Sequence, residues 1–444
     1  MARDLTTGKP FRLILTFALP FLMVNLFQQI YNIADTVIVG RTLGTAAMTA
    51  VGATGNLMWL TISASTSLGL GFSMLTAQRF GARDEEGVSK SYSSAVTMSV
   101  IVNILLAFFG TVYLRQILTL FRFPAEIIDD TYSYFRWIMI GVLPNSIFVL
   151  NSNMMRALGE SKTPMVISLI SCGVNILLDY VMIAIVGLGT AGAGVATLIS
   201  QTISCIISIV FIIRHFPQLR ICWRKLIPEV GIAKSLFKLG LPVAFFDVMN
   251  SSSGVIAQYA VNSMGVDYVT AVAAASKICS FLNTALFAVG SAVTVFTAQN
   301  YGAKRYDRIR TGVRDSIVIM ASWNAFIVMF CALVGKPIIG FLANTDNMFI
   351  IDHAFQYLVI NTILYIFVVF ILAFRSAIQA CGNSTAPVIS AFGELFGRTF
   401  AAFYLTKVWG FMGVVLINPT ACVIATIING IGYMAFVRKT KQML

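Results

Sequence analysis

Charge is what this sequence has least of. Only 11% of its 444 residues are Asp, Glu, Lys or Arg, against about 25% in a typical soluble domain. Apolar residues make up 58%, and the mean hydropathy is +0.84. So few charges cannot coat one or two soluble domains of this size. A secreted soluble domain, a disordered chain and a nucleic-acid partner are excluded, and the composition is that of an all-α integral membrane protein. Histidine is scarcer still: His215 and His353 both fall near span ends, so a histidine metal site is excluded. The seven cysteines (Cys172, Cys205, Cys222, Cys279, Cys331, Cys381, Cys422) are odd in number, scattered and never CxxC. That argues against a disulfide framework and against zinc. No cleavable signal is expected, because the first apolar run carries Asn25, Gln28, Gln29, Asn32 and Asp35 and leads into no small-residue cleavage site.

What the chain has is long apolar runs. A span needs about 20 mainly apolar residues. Twelve such runs occur, approximately 13–38, 47–78, 91–114, 127–155, 165–186, 192–213, 239–263, 269–299, 313–335, 353–378, 388–408 and 411–437. With both termini in the cytoplasm, most basic residues fall inside, including Lys304, Arg305, Arg308 and Arg310, with Arg375 assigned to a cytoplasmic segment. Outside remain Arg41, Arg115, Arg122, Arg136, Lys336 and Lys407, while Lys277 and Arg398 sit within spans. This asymmetry sets the orientation.

The two halves repeat. Ala18-Leu19-Pro20 recurs as Gly240-Leu241-Pro242, and Thr76-Ala77-Gln78-Arg79-Phe80-Gly81-Ala82 as Thr297-Ala298-Gln299-Asn300-Tyr301-Gly302-Ala303. Ala157-Leu158-Gly159 through Pro164 is echoed by Ala380-Cys381-Gly382 through Pro387, at nearly the same offset. The expectation is two pseudo-symmetric six-helix bundles, residues 1–220 and 221–444, joined by a cytoplasmic linker over 214–238. Repeated halves are a transporter layout, with the substrate path between the bundles. Duplication with packing as its only legacy would give the same repeat.

Ionisable groups inside the membrane cost several kcal/mol unless paired, neutralised or hydrated. The acidic ones are Asp35, Asp179, Asp247 and Glu394; the basic ones are Lys277 and Arg398. Asn25, Gln28, Asn32 and Asp35 share one helical face. Ser168, Ser171, Asn175 and Asp179 form a second stripe, and Thr197, Gln201 and Ser204 a third. Three polar faces in one bundle must converge on each other or on water. The first half brings no cation into its spans, so either one carboxylate holds a proton or both bind a cation such as Na⁺. The second half is nearly self-neutralising. Glu394 and Arg398 are spaced i, i+4 for an ion pair, and Asp247 is either a cavity anchor or a lock on Lys277. Asp247, Gln258 and Lys277 join Asn25, Gln28, Asn32 and Gln201 as cavity-lining candidates. Pro20 and Pro242, at matching positions, permit helix bending or a static kink. Asp35 and Asp179 also admit a structural reading, hydrogen-bonded to helix ends.

The chain resembles the multidrug and toxic compound extrusion (MATE) family. The resemblance rests on Ala18-Leu19-Pro20, Asp35-Thr36-Val37-Ile38-Val39-Gly40, Thr76-Ala77-Gln78 with Gly81-Ala82, Arg156-Ala157-Leu158-Gly159 and Asn175-Ile176-Leu177-Leu178-Asp179, the last followed by a glycine-rich turn. It implies a coupling-cation site at Asp35, Asn175, Asp179 and Thr197. No C-terminal acidic cluster accompanies Asp247 and Glu394, so the chain is more similar to DinF-type than to NorM-type members. The implied function is an H⁺- or Na⁺-coupled antiporter in the plasma membrane, working by alternating access. Its cargo would be bulky, often cationic organic compounds. Small organic molecules and membrane lipids are its expected partners, with a monomeric state, no cofactor and no metal beyond a coupling Na⁺. The alternative is a flippase for a lipid-linked sugar, which calls for a strongly cationic cavity. An enzyme is disfavoured, since HExxH, GxSxG and intramembrane histidine are absent. A channel is disfavoured because no pore-loop signature breaks the spans.

Overall fold

The computed structural model describes residues 4–121, 123–124, 126–221 and 227–442. Among them there is no strand, and all twelve anticipated spans are helical. In chain order the helices are α1 (Pro10–Leu43), α2 (Thr45–Ala53), α3 (Gly55–Gly81), α4 (Glu85–Val112), α5 (Leu114–Leu120), α6 (Ile128–Ala157), α7 (Lys162–Tyr180) and α8 (Thr190–His215). The second half follows with α9 (Val230–Asn262), α10 (Val266–Gly302), α11 (Tyr306–Ala343), α12 (Met348–Leu364), α13 (Ile366–Ala380), α14 (Thr385–Phe400), α15 (Thr406–Trp409), α16 (Phe411–Val415) and α17 (Ile417–Lys441). Eight described helices are long and apolar enough to cross a membrane. The pair α12 and α13, bent by 41°, makes a ninth such span. The protein is therefore a multi-pass membrane protein. The anticipated spans 47–78 and 239–263 contain helices long enough to cross, α3 and α9, that are less apolar than those eight, and 388–408 is broken after α14. Thr54 turns its hydroxyl back onto the Val51 carbonyl (2.6 Å) where α2 gives way to α3.

The chain forms two compact units. One holds Pro20–Ala244; the other holds Leu5–Leu19 with Phe245–Leu444. In the first, α6 packs chiefly against α8, α4 and α3, around a core that includes Leu114, Leu118, Tyr134, Ile138 and Ala193. In the second, α10 packs against α11, α12 and α13, and α14 against α17, around a core that includes Ala271, Ala275, Ile327, Leu358 and Val415.

The internal repeat reaches backbone detail. Each half widens into a π-helical turn, Val181–Ile185 after α7 and Ala401–Leu405 after α14. Each then reverses at a glycine with positive φ, Gly189 (60°) and Gly410 (55°), a conformation that favours glycine. Pro20 and Pro242 both lie inside continuous helices, α1 and α9. Each removes one backbone hydrogen bond without ending its helix.

Candidate functional site

Four helices of the first unit carry the candidate site. α1 supplies Asp35 and Tyr31, α6 Tyr134, α7 Asn175 and Asp179, and α8 Thr197. On α7 the spacing of four places Asn175 and Asp179 one turn apart on one face. All four sequence-predicted residues are buried: Asp35 is 6% exposed, Asn175 and Thr197 1%, and Asp179 0%. Tyr31 Oη and Thr197 Oγ1 lie 3.0 Å apart, and Asn175 Nδ2 reaches the same hydroxyl at 3.5 Å. The buried Tyr134 side chain of α6 stands beside Asp35.

What remains is a set of oxygens with nothing to accept. Asp35 Oδ1, Asn175 Oδ1 and both Asp179 oxygens are buried and make no hydrogen bond among the described residues. Asp179 feels the charge of Asp35, and among the described residues no basic side chain acts on either carboxylate. Burying a polar oxygen without a partner costs about 1–3 kcal/mol, more if it is charged. Such oxygens cluster natively where an ion or proton completes them. An all-oxygen donor set suits a hard cation, and two facing carboxylates suit a shared proton. The π-helical turn beginning two residues past Asp179 re-aims α7 there, as such turns do at functional sites.

Beside these residues lies a cleft of about 90 Å³, room for a few water molecules. Tyr31 and Asn175 form part of its wall, with Gln28, Asn145, Cys172 and Gln201. Of the cavity-lining candidates of the first half, Gln28 and Gln201 lie on the wall of this cleft. Asn32 is exposed and Asn25 partly buried, and neither lines this cleft.

In the second unit the predicted residues are arranged differently. Lys277 is exposed and makes no ion pair among the described residues. The charge that acts with Asp247 belongs to Arg375, which also acts with Glu394. Arg375 lies in α13 with its guanidinium 3.8 Å from the centre of the Phe246 ring. Gln258 is exposed and donates to Asn262 Oδ1 (2.7 Å). Glu394 and Arg398 meet at 4.0 Å. The stronger bonds of Arg398 go to α9, to Asn250 Oδ1 (2.6 Å) and Ser253 Oγ. The residues that sequence reasoning missed are Tyr31, Tyr134, Cys172 and Arg375. Only Tyr31 left a signal, standing one helical turn before Asp35.

Repeated helical halves that span a membrane define the class as a multi-pass transporter-like fold. The MatE family model matches residues 20–181 and again 242–400, one copy in each half of the chain. The chain belongs to the MatE family, whose members are transporters and not enzymes. Among curated relatives, "Probable multidrug resistance protein YoeA" of Bacillus subtilis (strain 168) is 25% identical over 439 residues, covering 96% of this chain and 94% of that protein. "Multidrug export protein MepA" of Staphylococcus haemolyticus is 22% identical, covering 93% and 91%. The fold is shared with the outward-facing conformation of a multidrug resistance MATE family transporter of the MOP superfamily. The TM-score is 0.91 at 20% identity, covering 99% of this chain and 98% of that one.

Proposed function

We propose that the protein is a secondary antiporter of the plasma membrane, both termini cytoplasmic, that exports bulky, often cationic organic compounds by alternating access. H⁺ or Na⁺ drives it by binding at Asp35, Asn175, Asp179 and Thr197. The observation that carries this reading is the cluster of four buried, unpartnered oxygens on α1 and α7. The cargo class rests on the names of curated relatives, a multidrug resistance protein and a multidrug export protein. Because an ion shifts a conformational equilibrium only by its differential affinity for the two states, the site must be more complete in one of them. Tyr31 links α1 to α8 through Thr197 and is suited to report occupancy to the helix that carries Pro20.

Cation binding to purified protein tests the site without transport. Wild type should retain one ²²Na⁺ or release one proton per chain on substrate addition, and Asn175→Ala should lower Na⁺ affinity about tenfold, as loss of one ion–dipole contact does. An unchanged affinity removes Asn175 from the site.

The cleft gives a second prediction. Cys172 Sγ donates weakly to the Phe27 carbonyl (3.7 Å) and faces the cleft, whereas Cys205, Cys279, Cys331 and Cys381 are buried and Cys422, half-buried like Cys172, is not on the wall of that cleft. A small thiol reagent should modify Cys172, stop transport and react more slowly when the coupling ion is bound. Cys172→Ser should transport and resist the reagent. Full activity after complete modification of Cys172 takes the cleft off the ion's route.

A further inference from the structure

The repeated motif Thr76–Ala82 and Thr297–Ala303 has no part in the cation site. Each copy closes a long helix, α3 or α10, and each is followed by a residue with left-handed backbone, Arg83 (φ 58°) and Lys304 (φ 57°). Beyond that point the copies diverge. At the same offset of 221 residues, Asn300 stands for Arg79, Arg305 for Asp84 and Arg308 for Gly87. In the first copy the side chains serve their own loop: Asp84 accepts from the Gly87 N–H (2.8 Å) and from Arg79 (2.6 Å).

In the second copy they turn onto a distant piece of chain, Leu5–Gly8. Gln299 Oε1 accepts from the Leu5 N–H (2.9 Å), and Asn300 Nδ2 donates to the Leu5 carbonyl (3.3 Å). Arg305 donates to the Thr6 carbonyl (3.1 Å). Arg308 donates to the carbonyls of Gly8 (2.9 Å) and Leu5 (3.3 Å), and to Asn300 Oδ1 (3.1 Å). Leu5 is 1% exposed and Thr6 7%. This segment precedes α1, so its backbone groups have no helix to satisfy them; the side chains of the second copy do so instead.

We propose that Gln299, Asn300, Arg305 and Arg308 form a clasp that positions the start of α1, with Arg308 as its central positioning residue. The planar guanidinium divides its donors among three acceptors at fixed angles, which a lysine ammonium cannot reproduce. Because α1 runs unbroken from Pro10 to Leu43, a fixed start has a consequence for Asp35. Any movement of Asp35 must be absorbed within the helix, where Pro20 has already removed one backbone bond. The transport consequence rests on the coupling role proposed for Asp35; the clasp itself does not.

The test is made on full-length protein carrying Thr6→Cys, with labelling by a small maleimide read by mass spectrometry at that position. With Arg308 in place labelling is slow. Arg308→Ala should accelerate it about tenfold or more, the effect of losing charge-assisted bonds, and Arg308→Lys should restore slow labelling only in part. Equal labelling rates with and without the Arg308→Ala change overturn the clasp. In proteoliposomes Arg308→Ala should lower kcat about tenfold with little change in KM for the coupling ion. Deletion of residues 4–8 should lower it equally, and the two changes together should be no worse than either alone. Additive losses overturn the positioning role. Should Arg308→Ala fail to fold, Gln299→Met removes the acceptor of the Leu5 N–H and makes the same labelling comparison. If the labelling difference holds while no ion gradient drives export, the coupling reading falls and the clasp stands.

Discussion

Asp35→Asn and Asp179→Asn are each expected to reduce cation-driven export to background while leaving the amount of folded protein unchanged. The amide has the volume of the carboxylate, and an asparagine in place of Asp35 keeps an oxygen beside Tyr134. What it loses is the charge and the capacity to take and release a proton. Removing one carboxylate from an oxygen cage costs a bound cation about 3 kcal/mol, roughly a hundredfold in affinity. For a coupling proton the loss is complete, because the amide does not titrate. Stability should not suffer: both carboxylates are buried with no basic side chain among the described residues acting on them, and neutralising an uncompensated charge relieves a desolvation cost. Dye export in proteoliposomes and thermal melting of the same preparations check both halves of this prediction. Wild-type export in either mutant contradicts it.

Gly71→Ala is expected to destabilise the first unit by about 3 kcal/mol or more, and Gly71→Leu to prevent recovery of folded protein. A Cβ at Gly71 of α3 would collide with the backbone of Gly240 on α9 and stand 2.9 Å from the Leu239 carbonyl. Backbone atoms cannot swing aside as a long side chain can. Close approach through small residues is a general means of packing helices in a membrane. Phe72, the next residue along α3, packs edge-on against Phe237 (5.9 Å), so a shift that relieved the clash would open that contact. Gly254→Ala, with nothing within 4 Å of its added methyl, is the control and should melt at or slightly above wild type. Equal melting of Gly71→Ala and wild type contradicts the close approach.

The helical spans were legible in the sequence because hydropathy over about 20 residues reports burial in lipid directly. The duplication was legible because its motifs fall where the backbone is most constrained, such as the loops closed by Arg83 and Lys304. Polar residues on apolar helices marked three stripes, and the resemblance to the MATE family picked Asp35, Asn175, Asp179 and Thr197 out of them. Tyr134 could not be singled out. In a chain with 34 Phe and 14 Tyr, an aromatic residue is background until its neighbours are known. The contact of the Arg375 guanidinium with Phe246 was not legible, because the packing of α13 on α9 leaves no mark in the sequence. Whether Asp247 anchors a cavity or locks onto Lys277 stayed open for a different reason. Sequence gives the helical face of each residue and not which face of the neighbouring helix it meets.

The most direct test of the central claim is substrate-dependent ion flux in proteoliposomes, with ΔpH and ΔNa⁺ imposed separately on wild type and Asp35→Asn. Movement of a cationic dye by wild type under one gradient, and silence of the mutant under both, is the result predicted here and identifies the ion. Equal dye movement by wild type and mutant would contradict coupling at Asp35. Failure of either gradient to move the dye in wild type would contradict export of cationic compounds and turn attention to lipid-linked cargo.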